Sequence, residues 1–263
     1  LNIVVCVKQV PNTNEIRLDP KTGALAREEV PYMVNPGDKA GLEVALRLKN
    51  SQGAQITALS MGPPRAEEAL REALAMGADE AVLVTDRAFG GSDTWVTAYT
   101  IAAAIKTLKY DLIFTGHQTI GGDTAQVGPQ IAENLGISNI SCAENVQVEN
   151  DAVIVTSQFD DRCCILKAKM PCLITVLKEG QDEPRYMTPG GIFDAYQKEI
   201  KKITRRDLNI DDRLLGLKGS PTRIIETETF AKNSKTPGSV VGYSDPQEAA
   251  EYMLEKLREK FIL

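Results

Sequence analysis

Thr115-Gly-His-Gln-Thr-Ile-Gly-Gly-Asp-Thr-Ala-Gln-Val-Gly-Pro-Gln130 directly follows the apolar run Leu112-Ile-Phe114, and its reading decides the fold. A buried strand that breaks into a Gly-rich loop and restarts as a helix brings backbone N–H groups and a helix N-terminus to one point. That point suits an anion such as a phosphate or pyrophosphate. Gly121 and Gly122 let the backbone approach a ligand. Asp123 or Thr124 is placed to cap the helix, with first-turn amides facing outward. An ordinary strand-to-helix turn with capping residues fits the same spacing. The pattern is neither a Walker loop nor GxGxxG, so motif matching does not choose between the two.

Toward the N-terminus, Asn2-Ile-Val-Val-Cys-Val7 is a continuous apolar run, the mark of a strand buried on both faces. Lys8-Gln-Val-Pro11 ends it, and turn residues with alternation over 16–29 suggest an excursion, read as a hairpin. Asn35-Pro-Gly-Asp38 supplies an N-cap, a Pro at the first helical position and an acid in the first turn, ahead of Leu42, Ala45, Leu46 and Lys49 at helical spacing. Asn35 and Asp38 can be caps, ligand contacts or both. Ile56–Ser60 and Ala81–Val84 read as further strands, each followed by a helix, the second of these starting at about Asp93. Strands alternating with helices up to Phe114 predict an α/β fold with a doubly wound parallel sheet. Ligands in such sheets lie beyond the carboxyl ends of the strands. The loops at Lys8, Asn35–Asp38, Met61–Pro64, Asp86–Thr94 and Gly121–Gly128 all fall there or at a helix start beside it.

After Leu135 the pattern changes to short alternating or β-branched runs at 145–149, 152–157, 163–169 and 173–176, read as β-hairpins that extend the sheet. Gly190-Gly191 opens a helix containing Ile192, Phe193 and Tyr196. Residues 204–242, rich in Lys, Thr, Pro and Gly with no sustained period, read as an extended arm rather than core. Asp245-Pro246 then starts a helix whose stripe of Ala250, Met253, Leu254, Leu257 and Phe261 needs a surface to bury itself on.

Composition narrows the function. With 263 residues, 43% of them hydrophobic, the chain can build a sizeable core. A net charge of -6 argues against nucleic acid as the main partner. No apolar run approaches the roughly 20 residues that span a bilayer, so no membrane insertion is expected, and the first residues read as a strand rather than a signal peptide. The five cysteines, Cys6, Cys142, Cys163, Cys164 and Cys172, form no CxxC, which fits a reducing cytoplasm. One His and no Cys/His cluster make a metal site unexpected.

Several blocks carry a family likeness in the same order along essentially the whole chain: Val4-Val-Cys-Val-Lys-Gln-Val10, Asn35-Pro36, Ser60-Met-Gly-Pro63, Ala73-Leu-Ala-Met-Gly-Ala-Asp79, Gly121 to Gln130 and Glu183-Pro-Arg-Tyr186. Together they resemble the β subunit of electron-transfer flavoproteins. The resemblance implies a domain like that of the adenine nucleotide alpha hydrolases over 1–203. It also implies an arm and helix over 204–263 that pack on an α subunit carrying the shuttling FAD. The β chain then holds AMP in the conventional branch, or a second FAD that takes hydride from NADH in the electron-bifurcating branch. By position, Cys6, Lys8, Asn35, Pro36, Asp38, Met61, Gly62 and Gly121, Gly122, Asp123, Thr124, Ala125, Gln126, Val127 and Gly128 are the residues implied to surround adenosine and phosphates. Phe89-Gly90-Gly91-Ser92-Asp93-Thr94 is similar to the block of the bifurcating branch, implying room for the flavin and nicotinamide at Gly90 and Gly91 with Asp93 and Thr94 beside them. As a plain sequence feature Phe89 is a core aromatic. His117 has no carboxylate partner in the sequence and is read as structural or ligand-adjacent. Pro189, Ile192 and Phe193 stand in the family's docking segment for dehydrogenases, Pro189 displacing the family's Leu. Phe159-Asp-Asp-Arg-Cys163 departs from the family pattern. The partners implied are the α subunit, an acyl-CoA dehydrogenase or other flavin dehydrogenase, and ferredoxin. The rival class is an adenine-nucleotide module without redox chemistry, whose Ser-Gly-Gly-x-Asp-Ser loop Gly90-Gly-Ser-Asp93 matches only superficially.

Overall fold

The computed structural model describes residues 1–12, 31–178, 183–222, 225, 242 and 245–262. It divides into two compact units, residues 1–223 and 224–263. The first is built on β1 (Asn2–Cys6), whose Val4 and Val5 are completely buried because both faces of the strand carry helices. On one side β1 pairs in parallel with β4 (Gln55–Met61), then β5 (Glu80–Val84), then β11 (Ile200–Ile203). On the other side it pairs in parallel with β6 (Leu112–Gly116), then β10 (Cys172–Val176) and β7 (Ser138–Glu149). The antiparallel strands β8 (Ala152–Gln158) and β9 (Cys163–Lys169) complete a nine-stranded sheet ordered β11-β5-β4-β1-β6-β10-β7-β8-β9. A separate antiparallel pair, β2 (Gln9–Pro11) with β3 (Tyr32–Val34), flanks the expected excursion over 16–29, which lies outside the described residues.

The chain winds from β1 through β4 to β5 on one side and resumes at β6 on the other, so the strand order reverses between β1 and β6. That reversal opens a crevice at the carboxyl ends of the strands. The helices follow the sequence signals. α1 (Pro36–Gln52) has its Pro at N1 and ends on left-handed Gly53, α2 runs Glu67–Met76, and α3 (Thr94–Ile105) is capped by the Asp93 carboxylate on Val96 N–H at 3.0 Å. α4 (Val127–Leu135) starts later than the capping reading expects, and neither Asp123 nor Thr124 caps it.

Two readings change and one strand is added. Leu173–Val176 is no hairpin strand: as β10 it inserts in parallel between β6 and β7, completely buried, and only β7, β8 and β9 form the antiparallel extension. Ile200–Ile203 pairs as β11, a strand too short to show periodicity, with Ile200 and Ile203 buried on opposite faces of the sheet and Lys201 and Lys202 exposed. The stretch over 204–222, expected as the start of an arm, lies on the core. Leu208, Ile210 and Leu215 are buried against Val82, Val84, Phe89 and Ile101, because three well-spaced apolar residues suffice to anchor an irregular segment on a sheet edge.

α5 (Pro189–Gln197) is capped by Thr188 on Gly191 N–H and lies on α2. There Arg71 donates to the carbonyls of Ala195 and Lys198 at 2.6 Å each. A side chain at Gly191 would come within 2.5 Å of the Ala75 carbonyl. α6 (Gly216–Gly219) is a single short turn. In the second unit, α7 (Pro246–Glu259) is capped by Asp245 and buries none of its residues, with Met253 62% and Phe261 96% exposed. Among the described residues no helix is long and apolar enough to cross a membrane.

Candidate nucleotide-binding cavity

A cavity of about 1100 Å³ occupies the crevice of the first unit, at the carboxyl ends of β1, β4, β5 and β6. Of the residues expected there, Cys6, Lys8, Asp38, Met61, Gly62, Phe89, Gly90, Gly91, Asp93, Thr94, Gly122, Thr124, Ala125, Gln126, Val127 and Gly128 line it. Asn35, Pro36, Gly121 and Asp123 do not. Asn35 is nearly inaccessible and acts as a brace: its amide donates to the Gln118 carbonyl at 3.0 Å and its side-chain oxygen accepts from Ile120 N–H at 3.2 Å. It thus ties the start of α1 to the Gly-rich loop instead of capping its own helix.

Asp38 occupies the point where β1 and β6 part. Its carboxylate accepts from Lys8 N–H at 2.8 Å and Gly116 N–H at 3.0 Å, satisfying two amides that the diverging strands leave without sheet partners. Gly116 is required there, since a side chain would collide with the Asp38 carboxylate. Burial pushes the Asp38 carboxyl up to about 6 although these hydrogen bonds and the Lys8 ammonium oppose it. Burial and then the Asp38 charge push the neighbouring Cys6 thiol up to about 12, so Cys6 is an inert wall rather than a nucleophile.

The Gly-rich loop crosses with unusual backbone. Gly121 has φ 81°, and Asp123 and Ala125 take left-handed values of 50° and 53°. Non-glycine residues there store strain, which concentrates at ligand clamps. α4 then begins at Val127 with no side-chain cap, and Pro129 contributes no N–H, so the first-turn amides of Val127 and Gly128 are left to whatever enters the cavity. Beneath them the Thr115 hydroxyl is buried without a partner on the cavity wall. Gly128 packs directly over it: a Cβ there would lie 2.7 Å from both Thr115 Oγ1 and Thr175 Cγ2. A bare helix N-terminus and the Lys8 ammonium together make a cradle for a phosphate-bearing ligand.

The opposite wall is the 86–94 loop. Phe89 is at once core and wall, packed against Val82, Val84 and Ile101 while lining the cavity. The Thr94 hydroxyl donates to the Gln126 side-chain oxygen at 3.0 Å and links the starts of α3 and α4. Asp93 lines the cavity but has no free carboxylate oxygen. One caps α3, and the other accepts from Thr222 N–H at 3.0 Å and Thr222 Oγ1 at 2.5 Å. Burial alone would raise the Asp93 carboxyl, but the hydrogen bonds from Thr222 and the α3 amides hold it below the usual carboxylate range. Its role is therefore structural. His117 also lines the cavity and its Nδ1 lies 3.7 Å from Cys142 Sγ.

Sequence reasoning missed Thr115, Thr97 and Arg87, which also line the cavity, and the 204–222 segment that backs its wall. Strand-end position alone could have found Thr115, the first polar residue after Leu112-Ile-Phe114. Nothing local marks the others.

Away from the cavity, α5 and the residues before it present Tyr186, 86% exposed, and Phe193, 68% exposed, with Met187, Ile192 and Tyr196 also exposed. Pro189, the first residue of the helix, is exposed as well. Arg185 is fixed by Glu43 of α1, whose carboxylate accepts from Arg185 N, Nε and Nη2 at 3.1, 2.8 and 2.9 Å.

Residues 22–208 match the electron transfer flavoprotein domain family. Over 263 residues, covering all of both chains, the sequence is 52% identical to the electron transfer flavoprotein subunit beta of Clostridium acetobutylicum. It is 44% identical to the caffeyl-CoA reductase-Etf complex subunit CarD of Acetobacterium woodii, again across both full lengths. It is 41% identical to the acryloyl-CoA reductase electron transfer subunit gamma of Anaerotignum propionicum, likewise across both.

Proposed function

The chain belongs to the electron transfer flavoprotein family as a β subunit, serving electron transfer, and from that premise we propose that its cavity holds FAD and that it works in an electron-bifurcating complex. In this reading the heterodimer with an FAD-carrying α subunit oxidises NADH. One electron goes to ferredoxin and one, through the α-subunit FAD, to a partner dehydrogenase.

The observation that carries the proposal is the extent of the cavity. It runs without a break from the Gly121–Gly128 cradle to the 86–94 loop, and its roughly 1100 Å³ stands at the top of the range for small-molecule sites. A mononucleotide needs only the cradle. Beyond the cradle the wall presents backbone at Gly90 and Gly91, and the volume there accommodates a planar ring system with a nicotinamide against it. Bound there, a flavin supplies acceptance of hydride and its release as single electrons.

The chain's own residues divide the remaining work. Val127 and Gly128 amides and the Lys8 ammonium meet the phosphates. Asp38 and Asn35 hold the loops that present them. Phe89, Met61 and Ile101 exclude water on the flavin side, lowering the local dielectric around every polar contact there. No side chain has to move a proton. The names of two relatives join a CoA-ester reductase to an electron-transfer subunit, which supports a flavin dehydrogenase as partner, docking on Ile192 and Phe193. The exposed stripe of α7 supports burial of the terminal unit on the α subunit.

Acid release of cofactors from the purified heterodimer tests the proposal. Two FAD per heterodimer are expected, with NADH bleaching the flavin held by this chain first and ferredoxin reduction requiring the high-potential acceptor. One FAD and one AMP, with no response to NADH, would refute bifurcation and leave the family membership standing.

A further inference from the structure

The 86–94 wall has its own turn hydrogen bonds, from Phe89 N–H to the Asp86 carbonyl and from the Ser92 hydroxyl to the Phe89 carbonyl. Its backbone is fastened further from behind by residues 215–222, which begin at the buried Leu215. Leu217 N–H donates to the Gly90 carbonyl at 3.0 Å, and the Ser220 hydroxyl accepts from Asp93 N–H at 2.9 Å. Thr222 donates twice to the Asp93 carboxylate. The fit is tight in both directions. Gly216 has φ 56° and any side chain there would strike the Ala88 carbonyl, while a Cβ on Gly91 would stand 3.0 Å from Leu217 Cβ. Ser220 is 6% exposed, and its own hydrogen goes to the Gly216 carbonyl at 2.8 Å, so the hydroxyl is committed to this junction.

None of these residues except Gly90, Gly91 and Asp93 lines the cavity. We infer that the 215–222 segment is a specificity-determining strap. By pinning Asp93 and Gly90 it keeps the second half of the cavity open, so that Ser220 and Thr222 decide whether the site retains a flavin dinucleotide or only its adenylate half. The cradle at Gly121–Gly128 makes no hydrogen bond with the strap among those described; the loop leading into it is tied to Asn35 through Gln118 and Ile120, and its one link to the 86–94 wall is the Thr94 hydroxyl on Gln126. Loosening the strap should thus weaken binding of the part of the ligand that lies against 86–94 and spare the part in the cradle.

This rests on the reading of the cavity as an FAD site, and the test separates the two. In the assembled heterodimer, the double substitution Ser220→Ala with Thr222→Val removes two hydroxyls and keeps shape and the Thr222 backbone donor. Thr222→Ser, which keeps the hydroxyl, is the conservative control. FAD affinity at this chain should fall about ten-fold or more, the equivalent of one to two hydrogen bonds to a charged group. AMP affinity measured on the emptied site should stay within about two-fold, because the cradle's contacts are untouched, and Thr222→Ser should behave as wild type. Hydrogen exchange gives a second readout that needs no ligand: amides of the peptide covering 87–94 should exchange faster in the double variant, and those of 119–128 should not. If wild type holds AMP and no second FAD, the FAD reading fails and the exchange result alone judges the strap. Unchanged exchange over 87–94, or FAD and AMP affinities that fall together, would overturn the inference.

Discussion

Asp38→Asn isolates the cost of holding a carboxylate at the parting of β1 and β6. In the unfolded chain the carboxyl titrates at its ordinary value of 3.8, and in the fold burial raises it to about 6. A raised carboxylate means that the native state binds more protons than the unfolded state between these two values. Stability from this group is therefore fully present below the lower value and lost as pH rises through the upper one. At 1.36 kcal/mol per unit, the shift costs the folded protein roughly 3 kcal/mol once Asp38 is ionised in both states. Between about pH 4.5 and 7.5 the linkage relation gives a loss of about 2 kcal/mol. The Asn variant cannot ionise and has no such slope. It carries instead a constant penalty of about 1–3 kcal/mol, because its amide oxygen can serve only one of Lys8 N–H and Gly116 N–H while its NH₂ faces the other donor. The variant should thus be clearly less stable than wild type at pH 4.5 and close to it at pH 7.5. Trp95, the chain's single tryptophan, sits in α3 beside the cavity wall and reports urea unfolding by its fluorescence. A difference between variant and wild type that stays constant across this pH range would show that the carboxyl is not raised and that Asp38 acts only as a hydrogen-bond acceptor.

Gly128→Ala should remove nucleotide while leaving the chain folded, since its Cβ at 2.7 Å from two neighbours forces the start of α4 outward at an overpacking cost of about 1–3 kcal/mol; cofactor content after gel filtration measures this. Glu43→Gln breaks the charge-assisted anchor of Arg185 and should cost about 2 kcal/mol, between an exposed and a fully buried pair. Steady-state assays should then show a higher KM for the partner dehydrogenase at unchanged flavin content. Replacing Ile192 and Phe193 together by Ala should weaken electron transfer to that dehydrogenase without altering flavin content, and unaltered transfer would dispose of the docking role. Deleting the chain after Gly242 removes the exposed stripe of α7, and gel filtration should then show impaired assembly with the α subunit.

What the sequence made legible follows from where its information is local. The parallel half of the sheet could be read because strands buried on both faces are unbroken apolar runs, as in Asn2–Cys6 and Leu112–Phe114, and each is punctuated by Gly or Pro before a patterned helix. The same local logic located the cavity, because the ends of such strands are where ligands lie whatever the side chains are. It failed where the structure depends on contacts far apart in the chain. β10 is as apolar as the other parallel strands, but its neighbours β6 and β7 cannot be deduced from a run of five residues after a series of hairpin signals. Asp93 is the clearest case. Its sequence context, after two glycines and before a helix, reads as a ligand contact, yet its carboxylate is spent on Val96 and on Thr222, the latter separated from it by 129 positions. Ser220 and Thr222 lie in a stretch of weak pattern, Lys-Gly-Ser-Pro-Thr, that resembles an arm because its role is to lie against a loop rather than to form an element. The cradle for phosphates is therefore encoded next to the strand that carries it, whereas the space beyond the cradle is fixed by residues encoded more than a hundred positions after the 86–94 loop they hold. Substitutions in 215–222 can accordingly alter what the cavity accepts while every motif that marks the nucleotide site stays intact.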